Sequence, residues 1–175
     1  MNTSERTILY LLKHPRLELH VRGLGRELDI APQIISRNLK QLEEQSLVAV
    51  KLLGTQKFAH FAFSEKSKSL AAYLLEQEKE ELTSELQPIV SRLEKLDAKI
   101  VILFGSSLKN VVEANDIDVL LIDNKLNAKH IDNQTTMLSM ELPKPVIPLL
   151  LEIKDVIKQY NKPVIQEALA GIVVK

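Results

Sequence analysis

The sequence contains no cysteine. Neither a disulfide framework nor a thiolate metal site can form, so any metal must be held by oxygen or nitrogen ligands. It also lacks a long apolar run: none approaches the roughly 20 residues that a membrane-spanning helix needs. The opening MNTSER has no basic segment followed by an apolar stretch, so it does not read as a secretory signal. The expected location is cytoplasmic, with no membrane partner. An excess of charge is missing too: 23 Lys and Arg face 23 Asp and Glu, which excludes a uniformly basic nucleic-acid coat.

What is present is ordinary in amount and uneven in distribution. Apolar residues make up 45% of the chain and charged residues 26%, enough for a buried core under a solvated surface. At 175 residues there is room for one large domain or two small ones joined by a helix. Residues 1–63 hold nine Lys and Arg against six Asp and Glu, residues 64–98 five against eight, and residues 99–175 nine of each. The positive excess falls on the first third.

That first third has a helical rhythm. Ile8, Leu9, Leu11 and Leu12 recur at helical spacing from Thr3 to Lys13, with Thr3 or Ser4 as N-cap and Pro15 beyond the stop. Val21 to Ile30 reads as a short second helix with Leu24 and Leu28 inward. Pro32 opens a third helix at its first position, running to about Gln45 with Ile34, Ile35, Leu39 and Leu42 on the buried side. Ser46 to Leu53 reads as a strand, Gly54 to Lys57 as a turn, and Phe58 to Phe63 as a returning strand. His60, between Phe58 and Phe61, reads as a structural histidine. Gln33, Ser36, Arg37 and Lys40 share one polar face of the third helix. Gln33 and Arg37 suit base edges, whereas Ser36, Lys40 and Lys57 near the hairpin tip suit phosphates. A solvated helix face and a protein-interaction module are the alternatives.

The string VRGLGRELDIAPQIISRNLKQLEEQSLV resembles the helix-turn-helix of small prokaryotic winged-helix regulators of the ArsR/MarR-like group, over roughly residues 5–63. The resemblance implies a DNA-binding transcriptional regulator whose partner is double-stranded DNA.

From Ser64, a plausible N-cap, a helical pattern reaches about Leu96. Leu82, Leu86, Ile89, Leu93 and Leu96 form an a/d seam, and Pro88 predicts a break near Gln87 with a new helix starting at the proline. Residues 64–97 therefore read as a helical connector. Its seam suits either a homodimer, matching paired DNA half-sites, or packing on its own domains.

The remaining stretch, 98–175, alternates strands and helices: strands at 99–104, 116–123 and 146–152, helices at 126–141 (Ile131, Met137, Leu138 and Met140), 153–160 and 163–169, and an extended end at 170–174. With the first third, this predicts an α+β chain: a winged helix, a connecting helix and a small mixed-sheet α/β domain. Strand alternation puts Asp116 and Asp118 on one face, about 7 Å apart, close enough to share a divalent cation. A Gly-Ser turn ahead of a helix start suits a phosphate.

Leu103-Phe-Gly-Ser106, followed by Asp116-Ile-Asp118, resembles the signature of the DNA polymerase β-type nucleotidyltransferase superfamily in its minimal form, over about residues 95–175. The resemblance implies that Gly105 and Ser106 contact a nucleoside triphosphate and that Asp116 and Asp118 hold Mg²⁺ and act as the catalytic acids. Family members often carry Arg-Gly shortly after the turn; here Lys109 stands there and would supply the positive charge. The family's third carboxylate, on a later strand, would fall at about Ile147. Glu152 lies about five residues, or roughly 17 Å, further along that strand, and Asp155 lies in the following helix. The expectation is a regulator carrying a nucleotidyltransferase-like domain that binds nucleotide and Mg²⁺. The alternatives are an active Mg²⁺-dependent nucleotidyltransferase, modifying a protein as those of toxin–antitoxin pairs do, and a scaffold using both domains for protein contacts.

Overall fold

The computed structural model describes residues 1–15 and 19–175, which form two compact units, Met1–Gln77 and Glu78–Lys175. The first begins with helix α1 (Thr3–Lys13). Its cap is Asn2, not Thr3 or Ser4, which are already helical. The Asn2 side chain accepts from the Ser4 and Glu5 amides at 2.9 and 3.0 Å, and the Glu5 carboxylate accepts from the Asn2 amide at 2.7 Å. This reciprocal capping box satisfies amides that the helix leaves free.

Helix α2 (Val21–Leu28) ends on Asp29 in a left-handed conformation, φ 54°. The chain then folds back so tightly that the Ile30 amide donates to the Gly25 carbonyl at 2.8 Å. A side-chain carbon at Gly25 would lie 2.7 Å from the Ile30 oxygen, so the turn into the next helix needs a glycine there. Helix α3 (Pro32–Glu44) starts on its proline as expected. Ile35, Leu39 and Leu42 are buried, but Ile34 is 47% exposed and Asn38 takes the inward place. The buried stripe runs 35, 38, 39, 42, and Ile34 lies off it.

Strands β1 (Val48–Leu53) and β2 (Gln56–Phe61) pair antiparallel from Val48 opposite Phe61 to Leu53 opposite Gln56. Three helices and a hairpin, packed around Leu24, Ile35, Leu39 and Phe61, are the architecture of a winged helix, the hairpin being its wing. Helix α4 (Glu65–Glu80) starts after Ser64, whose hydroxyl accepts from the Ser67 amide at 3.1 Å. Among the described residues, no helix is long and apolar enough to cross a membrane.

The helical stretch expected to run toward Leu96 is interrupted before Pro88. Helix α5 (Leu86–Leu93) takes the proline in its first turn, where no helical amide is required. Leu86, Ile89, Leu93 and Leu96 are all buried in the second unit's core, with Leu82 packed on it. Each gains about 1.5–3 kcal/mol from full burial, so this seam is used within its own unit and offers no dimer face. Residues 64–97 are thus divided: Ala71 and Leu74 belong to the first core, and the seam to the second.

The second unit continues through β3 (Ile100–Phe104), a 3₁₀ turn at Ser106–Leu108, β4 (Ile117–Asp123), α6 (Ala128–Glu141), β5 (Val146–Glu152), α7 (Ile153–Gln159), α8 (Pro163–Leu169) and β6 (Ile172–Val173). The sheet order is β5-β4-β3-β6. β4 runs antiparallel to β3 and parallel to β5, and β6 is antiparallel to β3. Pro148 sits on the edge strand β5, where its missing donor is tolerated. Val101, Leu103, Ile117, Val119 and Leu121 face one core with α5 and α6. Ile102, Phe104, Leu120 and Ile122 face the other with Ile165 and Ala168 of α8. Of the apolar residues assigned to α6, Ile131 and Leu138 are buried, but Met137 and Met140 are 65% and 81% exposed. Thr135 fills the inward place between them, its hydroxyl bonded to the Ile131 carbonyl at 3.0 Å.

Candidate functional site

In the first unit, the polar residues of α3 face outward. Gln33, Ser36, Arg37 and Lys40 are exposed, as is Lys57 on the wing. Their side chains make no hydrogen bond or ion pair among the described residues. The start of α2, the start of α3 and the wing enclose a groove of about 500 Å³. Gln33, Ser36 and Lys57 line it, and so do Arg22, Thr55 and Gln56, with no carboxylate among the lining residues. Ser36, Lys40 and Lys57 also border a smaller adjoining cleft, with Glu43 on its far side. Arg37 lines neither and projects freely from the helix.

Arg22, Thr55 and Gln56 were not singled out from the sequence. Thr55 in the turn and Gln56 at the start of β2 reach the groove only because the hairpin folds beside α3. Arg22 joins because α2 starts against the hairpin, where His20 bridges to Phe58. His20 itself is structural: its Nδ1 accepts from the Gly23 amide at 3.0 Å. His60 is half-buried in β2, away from the groove lining.

In the second unit, the Gly-Ser turn and the acidic pair meet. Gly105 has φ 80°, a conformation that favours glycine. A side-chain carbon there would overlap the Asp118 carboxylate. Asp118 lies opposite Phe104 on one side and Ile147 on the other. Asp116 precedes the strand by one residue. Burial pushes the Asp118 carboxyl above the ordinary aspartate value, and the negative charges of Asp116 and Glu167 push it the same way. Glu167 comes from α8 and was missed by the sequence reading. Its signal was Ile165 and Ala168 facing the sheet, which leaves Glu167 on the helix flank.

Ser106 and Lys109 are exposed; the Ser106 carbonyl accepts from the Lys109 amide at 3.0 Å, closing the turn. The register puts Ile147 directly beside Asp118, so the strand position next to the acid is apolar. Glu152, opposite Asp123 at the far end of β4, is ion-paired with Lys154 at 2.6 Å and takes no part. Asp155 on α7 is paired with Lys158 at 3.1 Å. Among the described residues, no group of three or more His, Asp or Glu is close enough to hold a metal ion.

No protein-family model matches the chain, and no characterised protein matches it in sequence. Solved structures do. MepR, a transcription regulator of the Staphylococcus aureus multidrug efflux pump MepA, is 18% identical over 52% of this chain and 72% of its own, with a TM-score of 0.40. The adhesin competence repressor of Streptococcus pyogenes is 18% identical over 65% of this chain and 74% of its own, also at 0.40. Reduced HlyU from Vibrio cholerae is 24% identical over 43% and 77%, at 0.35.

Proposed function

We propose that the protein is a DNA-binding transcriptional regulator that reads duplex DNA with α3 and the wing. One observation carries this reading: Arg22, Gln33, Ser36 and Lys57 line one groove that has no carboxylate among its lining residues, while Lys40 borders the adjoining cleft and Arg37 stands exposed on the same helix. A recognition helix needs such side chains at its start, free to pair with base edges and phosphates. The regulator acts as a homodimer in this reading, because half-sites come in pairs. The dimer face lies elsewhere than the Leu82–Leu96 seam.

The test is selection of duplexes from a random pool by the full chain, followed by titration of the winner. Arg37→Ala should weaken the selected site by about 1–3 kcal/mol and relax preference at one base position. A pool that yields no enriched duplex would sink the reading.

A second reading concerns the acidic turn: a nucleotidyltransferase-like domain that binds a nucleoside triphosphate with Mg²⁺ through Gly105, Ser106, Lys109, Asp116 and Asp118. It is supported by the negative charges of Asp116 and Glu167, which add to burial in disfavouring the Asp118 carboxylate and which a divalent cation would offset. A bound Mg²⁺ would polarise phosphate oxygens. The chain's own contribution is to set the Asp118 carboxylate against the Gly105 turn, with Asp116 two residues before it. The reading stops at binding, since Ile147 offers no ligand beside Asp118. Mg²⁺-dependent binding of ATP, CTP, GTP or UTP, lost in the Asp116→Ala/Asp118→Ala double variant, supports it; equal retention by that variant ends it. Transfer of labelled nucleotide to an acceptor in lysate would instead favour an active, protein-modifying enzyme.

A further inference from the structure

We infer that the wing is an apolar wedge that unstacks and bends the duplex, rather than a clamp that only holds phosphates. This rests on the DNA-binding reading and adds to it how the wing engages the helix.

Leu52 and Leu53 stand at the tip of the hairpin and are 65% and 56% exposed. A single exposed leucine needs no explanation. Two adjacent ones on a projecting turn are different, because no helix of this unit covers them.

Alternation makes their setting specific. Val48, Val50 and Leu52 share one face of β1, with Phe61, Ala59 and Lys57 opposite them on β2. Along that face exposure rises from buried Val48, through half-buried Val50, to open Leu52. The inner end covers the helices; the outer end projects beyond them beside Lys57, which borders the DNA-facing groove. Leu53 is opposite Gln56 and presents the other face of the tip.

Gly54, φ 60°, has nothing within 4 Å of where a side-chain carbon would be, so the turn is open. Lys51 and Lys57 flank the leucines, both exposed. Cations beside a protruding apolar tip suit a polyanion whose interior is apolar. In a duplex, phosphates surround stacked bases, and an aliphatic side chain entering from the minor groove can pry a base step open. Lys57 would hold the backbone beside the opened step and Leu52, on the same face of the hairpin, would fill it, while Leu53 covers the other side of the tip. Such a wedge favours pyrimidine–purine steps, which unstack most readily, and gives the wing sequence preference without hydrogen bonds to bases.

The experiment uses the full chain and the duplex enriched from a random pool. One duplex carries donor and acceptor dyes at its ends; another carries 2-aminopurine at the step under the wing. The wild type should shorten the end-to-end distance, with a bend of about 20–90°, and raise the 2-aminopurine emission. Leu52→Ser/Leu53→Ser, which removes no buried contact, should still bind the duplex but lose both signals. Lys57→Ala should weaken binding and keep the emission rise in the bound fraction. A wild type that binds a straight, fully stacked duplex overturns the wedge and leaves the DNA-binding reading intact. So does a double-serine variant that bends DNA as well as the wild type. If that variant changes from dimer to monomer while the bound duplex stays bent, the leucines belong to a contact between copies and the wedge is wrong. A pool with no enriched duplex removes both readings together.

Discussion

Around the groove of the first unit, Gln33, Ser36, Lys40 and Lys57 project from regular elements into solvent with no partner among the described residues. At the head of β4 in the second unit, Asp118 is half-buried, repelled by two other carboxylates and fitted against Gly105, where a side-chain carbon would displace its carboxylate. The first arrangement costs the fold little, because hydrated cations on a surface neither lose their solvation nor need a special backbone. The second is held in place by the surrounding sheet against its own repulsion. Substitutions should therefore separate: in the first unit, binding changes without stability; in the second, stability responds directly to the site.

The largest test compares two glycines, one in each unit, both at positive φ. Gly54→Ala at the wing tip faces open space, so it should show only the backbone penalty, about 1 kcal/mol. Gly105→Ala meets a larger backbone penalty, because φ 80° with ψ −159° is a conformation essentially confined to glycine, and it also displaces the Asp118 carboxylate. It should cost about 1–3 kcal/mol in urea unfolding, and removing the carboxylate with Asp118→Ala should recover some of that loss. Equal effects at the two glycines would break the comparison, and a Gly105→Ala cost that is unchanged in the Asp118→Ala background would mean that the carboxylate adds nothing to the demand for glycine.

A smaller effect is expected from Lys57→Ala. It should weaken all duplexes alike and lower the slope of log affinity against log salt by about one, while thermal stability stays within about 0.5 kcal/mol of the parent. A change in melting temperature larger than this would mean that the wing lysine belongs to the fold and that the first unit's surface is not uncommitted.

The contrast also explains what could be read from the sequence. In the first unit, helix and strand positions follow from periodicity, because Ile35, Leu39 and Leu42 recur at helical spacing and Pro32 marks a start. The polar face of α3 follows from the same count. What escaped was whatever depends on folding back: Arg22, Thr55 and Gln56 reach the groove only when α2, α3 and the hairpin meet. Ile34, read as buried, lies exposed for a related reason, since a four-residue stripe can be drawn more than one way until its partners are known, and Asn38 takes the inward place. In the second unit, the resemblance put the position of the family's third carboxylate at about Ile147, and the register sets Ile147 beside Asp118. For Glu167 the spacing of Ile165 and Ala168 marked only the helix flank, and its approach to Asp118 depends on how α8 lies over the sheet. The leucine seam from Leu82 to Leu96 was legible as a stripe but not as to its partner; its own sheet and a second chain would leave the same spacing.

The smallest predicted effect concerns protonation. Burial first, then the charges of Asp116 and Glu167, raise the Asp118 carboxyl above its ordinary value. A raised value in the folded state means that the native protein holds this proton more tightly than the unfolded chain does. The stabilising contribution is therefore complete below the unfolded-state value and is lost as pH rises through the higher folded value. Above the folded value the site carries the penalty of an ionised Asp118. Asp118→Asn removes that charge with little change in shape, so it should raise the melting temperature at pH 7. The two melting curves should converge as the pH falls through the carboxylate range, where the wild type becomes neutral at this position as well. Melting temperatures of both proteins across that range provide the check. A variant less stable than the wild type at pH 7 would mean that the Asp118 carboxylate is held by a favourable partner, and the second unit would then resemble the first.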